Sequence, residues 1–185
     1  MAPLPRRKVR IRKGESLEFD TLDELLDVPV AHWERHIAKL ARELRSKGVR
    51  IQVPGSRLAD SEGRAVRNVI WTGLYDAQVK HLPKMERPEE FRMARRYEFL
   101  KLRVRDALIQ AGFAREGADE LVTRPLRALP KPAKTASGAA WAWLEGRIDE
   151  LEQLRNIYVE GALYLVHGPV RRYAGLGVDE SDLIQ

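Results

Sequence analysis

The chain has no cysteine among its 185 residues. This excludes disulfides and thiolate zinc sites and is compatible with a reducing compartment. No apolar run approaches the roughly 20 residues that a membrane-spanning helix needs. The first residues lack the apolar core of a secretory signal, so the expected location is the cytoplasm, with no membrane partner. Internal repeats and low-complexity tracts are missing as well. No phosphate-binding glycine loop, Ser/His/Asp set or paired-carboxylate signature stands out, so no enzyme, small-molecule substrate or cofactor is expected. Histidine is scarce, at four residues. His32 and His36 stand four apart on one helical face, but no third ligand follows at a persuasive spacing, and no metal site is expected.

What is present is a soluble, globular composition, 44% hydrophobic and 32% charged. The net charge of +6 is local rather than general. Residues 1–13 carry Arg6, Arg7, Lys8, Arg10, Arg12 and Lys13 with no acid, which leaves 27 basic and 27 acidic residues elsewhere. Such an arm reads either as a solvated, disordered terminus over about residues 1–20 or as a phosphate contact made by Arg6, Arg7, Lys8 and Arg10.

Helical periodicity dominates the remainder. Thr21 to Glu24 fits a capping box that opens a first helix. Trp33, Ile37, Leu40 and Leu44 recur at helical spacing and end on Lys47-Gly48, a C-cap. Val49 to Val53 alternates and reads as a short strand or extended link before Pro54-Gly55. A further helix is expected from about Gly63 to Lys80, ended by Pro83. The next opens on Pro88, Glu89 and Glu90 and carries Phe91, Ala94, Tyr97, Leu100, Val104 and Leu108 on one face as far as Gly112. Its Arg92, Arg95, Arg96, Lys101, Arg103 and Arg105 read equally as a salt-bridged surface or as a binding surface for nucleic acid or a protein partner. Residues 124–138 form a Pro-rich loop. A long helix from near Ser137 turns Trp141, Leu144, Ile148, Leu151 and Tyr158 inward, with Asp149-Glu150 on a solvated face, and Pro169 should break it. The fold class expected is all-α, with an N-terminal helical extension over 21–62 and a helical domain over 63–185.

Two segments carry more than periodicity. The terminal stretch holds Leu163, Leu165 and Val166, then Arg171, Arg172 and Tyr173, then Gly177 and Asp182-Leu-Ile-Gln185. Upstream lie Gly73 to Pro83 and then Glu86-Arg-Pro-Glu-Glu-Phe-Arg-Met-Ala-Arg-Arg-Tyr-Glu98. In this order they resemble region 1.2, and region 2.1 with the start of region 2.2, of bacterial RNA polymerase sigma factors of the sigma-70 family. The two likenesses together cover a little under a third of the chain, and residues 1–62 contribute nothing to them.

The resemblance implies a helical bundle similar to the N-terminal part of sigma domain 2, and transcription initiation as the task. It implies core RNA polymerase as partner, bound at the clamp of the largest subunit through Asp182, Gln185, Arg171 and Arg172. It also implies promoter DNA facing Tyr75, Gln78, Lys80 and His81, where aromatic and cationic groups suit unpaired bases. The sequence departs from the family pattern at Ala162, Tyr164 and Gly168-Pro169, where the family has an Asn, a basic residue and a small hydroxyl residue. An apolar side chain at 162 cannot hydrogen-bond a base edge. An alternative is therefore a truncated sigma-like regulator, or an all-α module that binds polymerase or nucleic acid without opening promoters.

Overall fold

The computed structural model describes residues 10–54, 85–132 and 137–162. These are mostly helical, as the all-α reading expects: α1 (Phe19–Leu26), α2 (Trp33–Ser46), α3 (Arg87–Gln110), α4 (Arg115–Leu121) and α5 (Gly138–Ala162). Two strands of two residues, β1 (Ser16–Leu17) and β2 (Arg50–Ile51), pair in parallel with Leu17 opposite Ile51. The chain divides into two compact units, Met1–Val53 with Ala94–Glu152, and Pro54–Met93 with Gln153–Gln185. The helix expected over 63–80, Pro83 and the break at Pro169 lie outside the described residues.

Helix α2 follows its sequence closely. Ile37, Leu40, Ala41 and Leu44 are buried on one face. The C-terminus closes as a Schellman motif: Gly48 N–H donates to Arg45 O (3.0 Å) and Val49 N–H to Leu44 O (2.9 Å), with Gly48 at φ 64°. Helix α3 ends in the same way at Gly112, through Phe113 N–H to Leu108 O at 3.1 Å.

Helix α1 corrects the expected capping box. It starts at Phe19 after an extended Glu18 that makes no side-chain cap, so Thr21 lies inside the first turn. Strand β1 ends at Leu17, and the helix begins almost at once. The expected disordered arm is likewise structured where it is described, because Ile11 and Leu17 are buried and Gly14 N–H donates to Lys47 O at 2.7 Å.

Helix α3 opens as expected, with Pro88, Glu89 and Glu90 in its first turn and Glu86 O accepting from the N–H groups of Glu89 and Glu90. Its inner face differs from the predicted stripe. Phe91 is 56% exposed, Ala94 is exposed and Tyr97 half-buried, whereas Met93, Arg96, Phe99 and Arg103 are buried beside Leu100, Val104 and Leu108. Hydropathy places arginine outside, so the periodicity read one flank of the true face.

Helix α5 starts where expected, near Ser137, and is capped there: Ser137 Oγ accepts from Ala140 N–H at 3.2 Å. Leu144, Ile148 and Leu151 are buried, but Tyr158 is 49% exposed. Trp141 stacks on Phe113 with ring centroids 6.5 Å apart. Helix α4 was not signalled by the sequence. It has no side-chain cap and buries only Ala118, with Val122 just beyond its end.

Candidate functional site

The residues expected to bind polymerase, Asp182, Gln185, Arg171 and Arg172, lie outside the described residues. So do Tyr75, Gln78, Lys80, His81, Arg6, Arg7 and Lys8. Of the expected DNA contacts, Arg10 is described, and it is exposed.

The arginines of α3 separate into two groups. Arg92, Lys101 and Arg105 form outer ion pairs with Glu89 (3.0 Å), Glu98 (3.1 Å) and Asp119 (3.2 Å). Arg95, Arg96 and Arg103 turn into the first unit. Arg95 donates to Leu26 O (2.8 Å) and Val28 O (3.1 Å), closing the C-terminal end of α1, and lies 5.1 Å from the Trp33 ring centre. His36 Nε2 donates to Leu25 O at 2.8 Å, so this histidine is spent on the same helix end. Arg96 reaches Asp23 with two nitrogens and covers the Phe19 ring at 4.4 Å.

Deepest is a cluster that the sequence reading missed. Glu150, expected on a solvated face, is buried, as are Arg103 and Arg147. Glu150 Oε1 accepts from Ile51 N–H (2.7 Å) and Arg147 Nη2 (2.8 Å), and Oε2 from Arg103 Nη1 (3.2 Å). Both arginines also donate to one carbonyl oxygen, that of Val49, at 2.7 and 3.0 Å. The Arg147 guanidinium lies 4.1 Å from the Trp143 ring centre, and its Nε has no hydrogen-bond partner. Burial pushes Glu150 up from 4.5 to about 7, against the opposing pull of Arg103, the Ile51 N–H and Arg50. Burial also lowers the Arg103 pKa, with Glu150 acting the other way. The one local hint in the sequence was Trp143 four residues before Arg147, at the spacing that lets a helical cation lie on a ring.

This cluster is closed to solvent, so it ties β2 to α3 and α5 and presents no reacting group to a substrate. Among the described residues, no three His, Cys, Asp or Glu side chains gather as metal ligands.

In the second unit, Met85, which lies between the two pieces of the upstream likeness, approaches Gly161 near the end of α5. A Cβ built on Gly161 would lie 2.5 Å from Met85 Cε, so the residue just before the Glu86–Glu98 segment abuts one just before Leu163, where the terminal motif begins. Only a residue without a side chain lets Met85 sit there undisturbed. Compared with known protein families, curated proteins and solved structures, the chain matches none.

Proposed function

We propose that this chain is the N-terminal part of a sigma-70-like factor, which docks on the clamp of core RNA polymerase and contacts promoter DNA. Its work is recognition, and the polymerase supplies the chemistry. The observation that carries this reading is the approach of Met85 to Gly161. Met85 and Gly161, far apart in sequence, each stand beside a segment that resembles the family, and they meet within one compact unit. The opening of α3 adds support, since Glu89 and Glu90 stand in its first turn and the family's helix opens on a Glu pair.

In this reading Asp182 and Gln185 make polar contacts to the clamp, with Arg171 and Arg172 beside them. Tyr75, Gln78, Lys80 and His81 face unpaired promoter bases. Immobilised chain is expected to retain core polymerase, and Asp182→Ala with Gln185→Ala to weaken retention several-fold. Failure of the wild-type chain to retain polymerase would overturn the proposal.

A second reading, a regulator that occupies the clamp without opening promoters, is favoured by Ala162 at the end of α5, where the family's base-holding amide is replaced by a methyl group. Polymerase retention combined with no increase in permanganate reactivity of promoter thymines would select it.

A further inference from the structure

Charge is sorted within the N-terminal part of the first unit. Residues 18–27 hold five acids, Glu18, Asp20, Asp23, Glu24 and Asp27, and no base. Residues 28–53 hold six arginines and lysines against two acids. Because Ile37, Leu40, Ala41 and Leu44 fix the inner face of α2, helical geometry sets Arg35, Lys39 and Arg42 on the opposite face, where all three are exposed. They form a row about 10 Å long, from the rise of 1.5 Å per residue.

The root of the basic arm joins this row at its C-terminal end. Gly14 N–H donates to Lys47 O (2.7 Å) and Lys47 Nζ to Ile11 O (3.1 Å), so Arg10, Arg12 and Lys13 emerge beside the end of α2, all exposed. Three acids lie near. Glu43 is held by Lys47 at 2.7 Å, Glu15 accepts from the Arg12 backbone N–H at 2.8 Å, and Glu34 stands exposed at the start of α2. Among the described residues no ion pair engages Arg10, Arg12, Lys13, Arg35, Lys39 or Arg42, in contrast to Arg92, Lys101 and Arg105 on α3.

We infer that the outer face of α2 and the root of the arm form a docking surface for the phosphate backbone of duplex DNA. Duplex DNA presents one negative charge per about 1.7 Å of axis, so a row of unpaired cations gains from releasing its counterions. The row itself, Arg35, Lys39 and Arg42 with Arg10, Arg12 and Lys13, contains no aromatic ring, so unpaired bases find nothing in it to stack on. Binding is therefore sequence-independent and favours the duplex. This surface is independent of the polymerase reading and gives the extension before residue 54 a task.

The test is fluorescence anisotropy of the whole chain with a random-sequence duplex, without polymerase, between about 50 and 200 mM salt. Wild type is expected to bind. Arg35→Glu/Lys39→Glu/Arg42→Glu is expected to weaken binding at least tenfold, and the salt slope to fall by about 0.9 for each phosphate no longer neutralised. Lysine acetylation of the wild-type chain gives a second readout that needs no variant. Bound duplex should protect Lys39 and Lys13 and leave Lys101 reactive. No duplex binding at the lowest salt, an unchanged slope in the triple variant, or an unprotected Lys39 would each overturn the proposal. Tighter binding to phosphatidylserine vesicles than to the duplex would also overturn it, assigning the face to a lipid surface. Polymerase retention, measured without DNA, keeps the two readings separable.

Discussion

Arg96 and Asp23, 73 residues apart, meet as a two-point ion pair, with Nε to Oδ1 at 2.8 Å and Nη2 to Oδ2 at 2.5 Å. Both side chains are largely buried, so the pair fastens α1 to α3 where solvent screens it little. A double-mutant cycle of Arg96→Ala and Asp23→Ala, read by urea unfolding, should return a coupling of about 1–3 kcal/mol. Arg96→Lys should not restore it, because a lysine offers a single point charge where the carboxylate meets a planar fork.

Removing the central carboxylate should be more damaging. Glu150→Ala leaves Arg103 and Arg147 buried without their counter-charge and the Ile51 N–H without an acceptor. A loss of about 3–5 kcal/mol is expected in chemical denaturation. Replacing all three residues by apolar ones of similar volume should cost far less, since no unpaired charge remains.

Glu150 also sets a pH dependence. Its pKa is raised in the fold, from 4.5 to about 7, so between these values the folded state holds more proton than the unfolded one. Its contribution to stability is therefore full below the lower value and is lost as pH rises through the upper. Thermal melts should show stability falling across this window and levelling above it. Glu150→Gln should flatten the decline, whereas an unchanged profile in that variant would assign the effect to another group.

At the end of α2, Gly48 holds φ 64°, and an added Cβ would meet nothing within 4 Å. The cost of Gly48→Ala is therefore conformational alone, about 1–2 kcal/mol. Gly48→Asn should cost less, since asparagine tolerates the left-handed region better. Unfolding midpoints of the two variants check the order.

Legibility in the sequence followed the kind of force at work. Helix α2 was readable to its cap because aliphatic burial and a glycine turn are both local signals. The extended piece after Gly48 was readable, but its partner was not, because Ser16–Leu17 lies inside a stretch whose basic charge suggested a loose tail. The inner face of α3 was misread at Phe91, Ala94 and Tyr97 because its true face includes Arg96 and Arg103. Buried guanidiniums depend on acceptors far away in sequence, Asp23, Glu150 and Val49 O, which no window of neighbouring residues contains.

The double claim of Arg103 and Arg147 on the Val49 carbonyl bears on how this chain avoids folding wrongly. A strand of two residues has almost no hydrogen bonding of its own to fix its alignment. Slipping β2 by one position would turn Ile51 outward and drive Arg50 toward two other cations. The same slip would take the Val49 oxygen away from both guanidiniums and the Ile51 N–H away from the Glu150 carboxylate. The arginines thus act as a proofreader for a pairing too short to check itself, and the α1–α2 hairpin, suspended between β1 and β2, inherits its one permitted alignment from them.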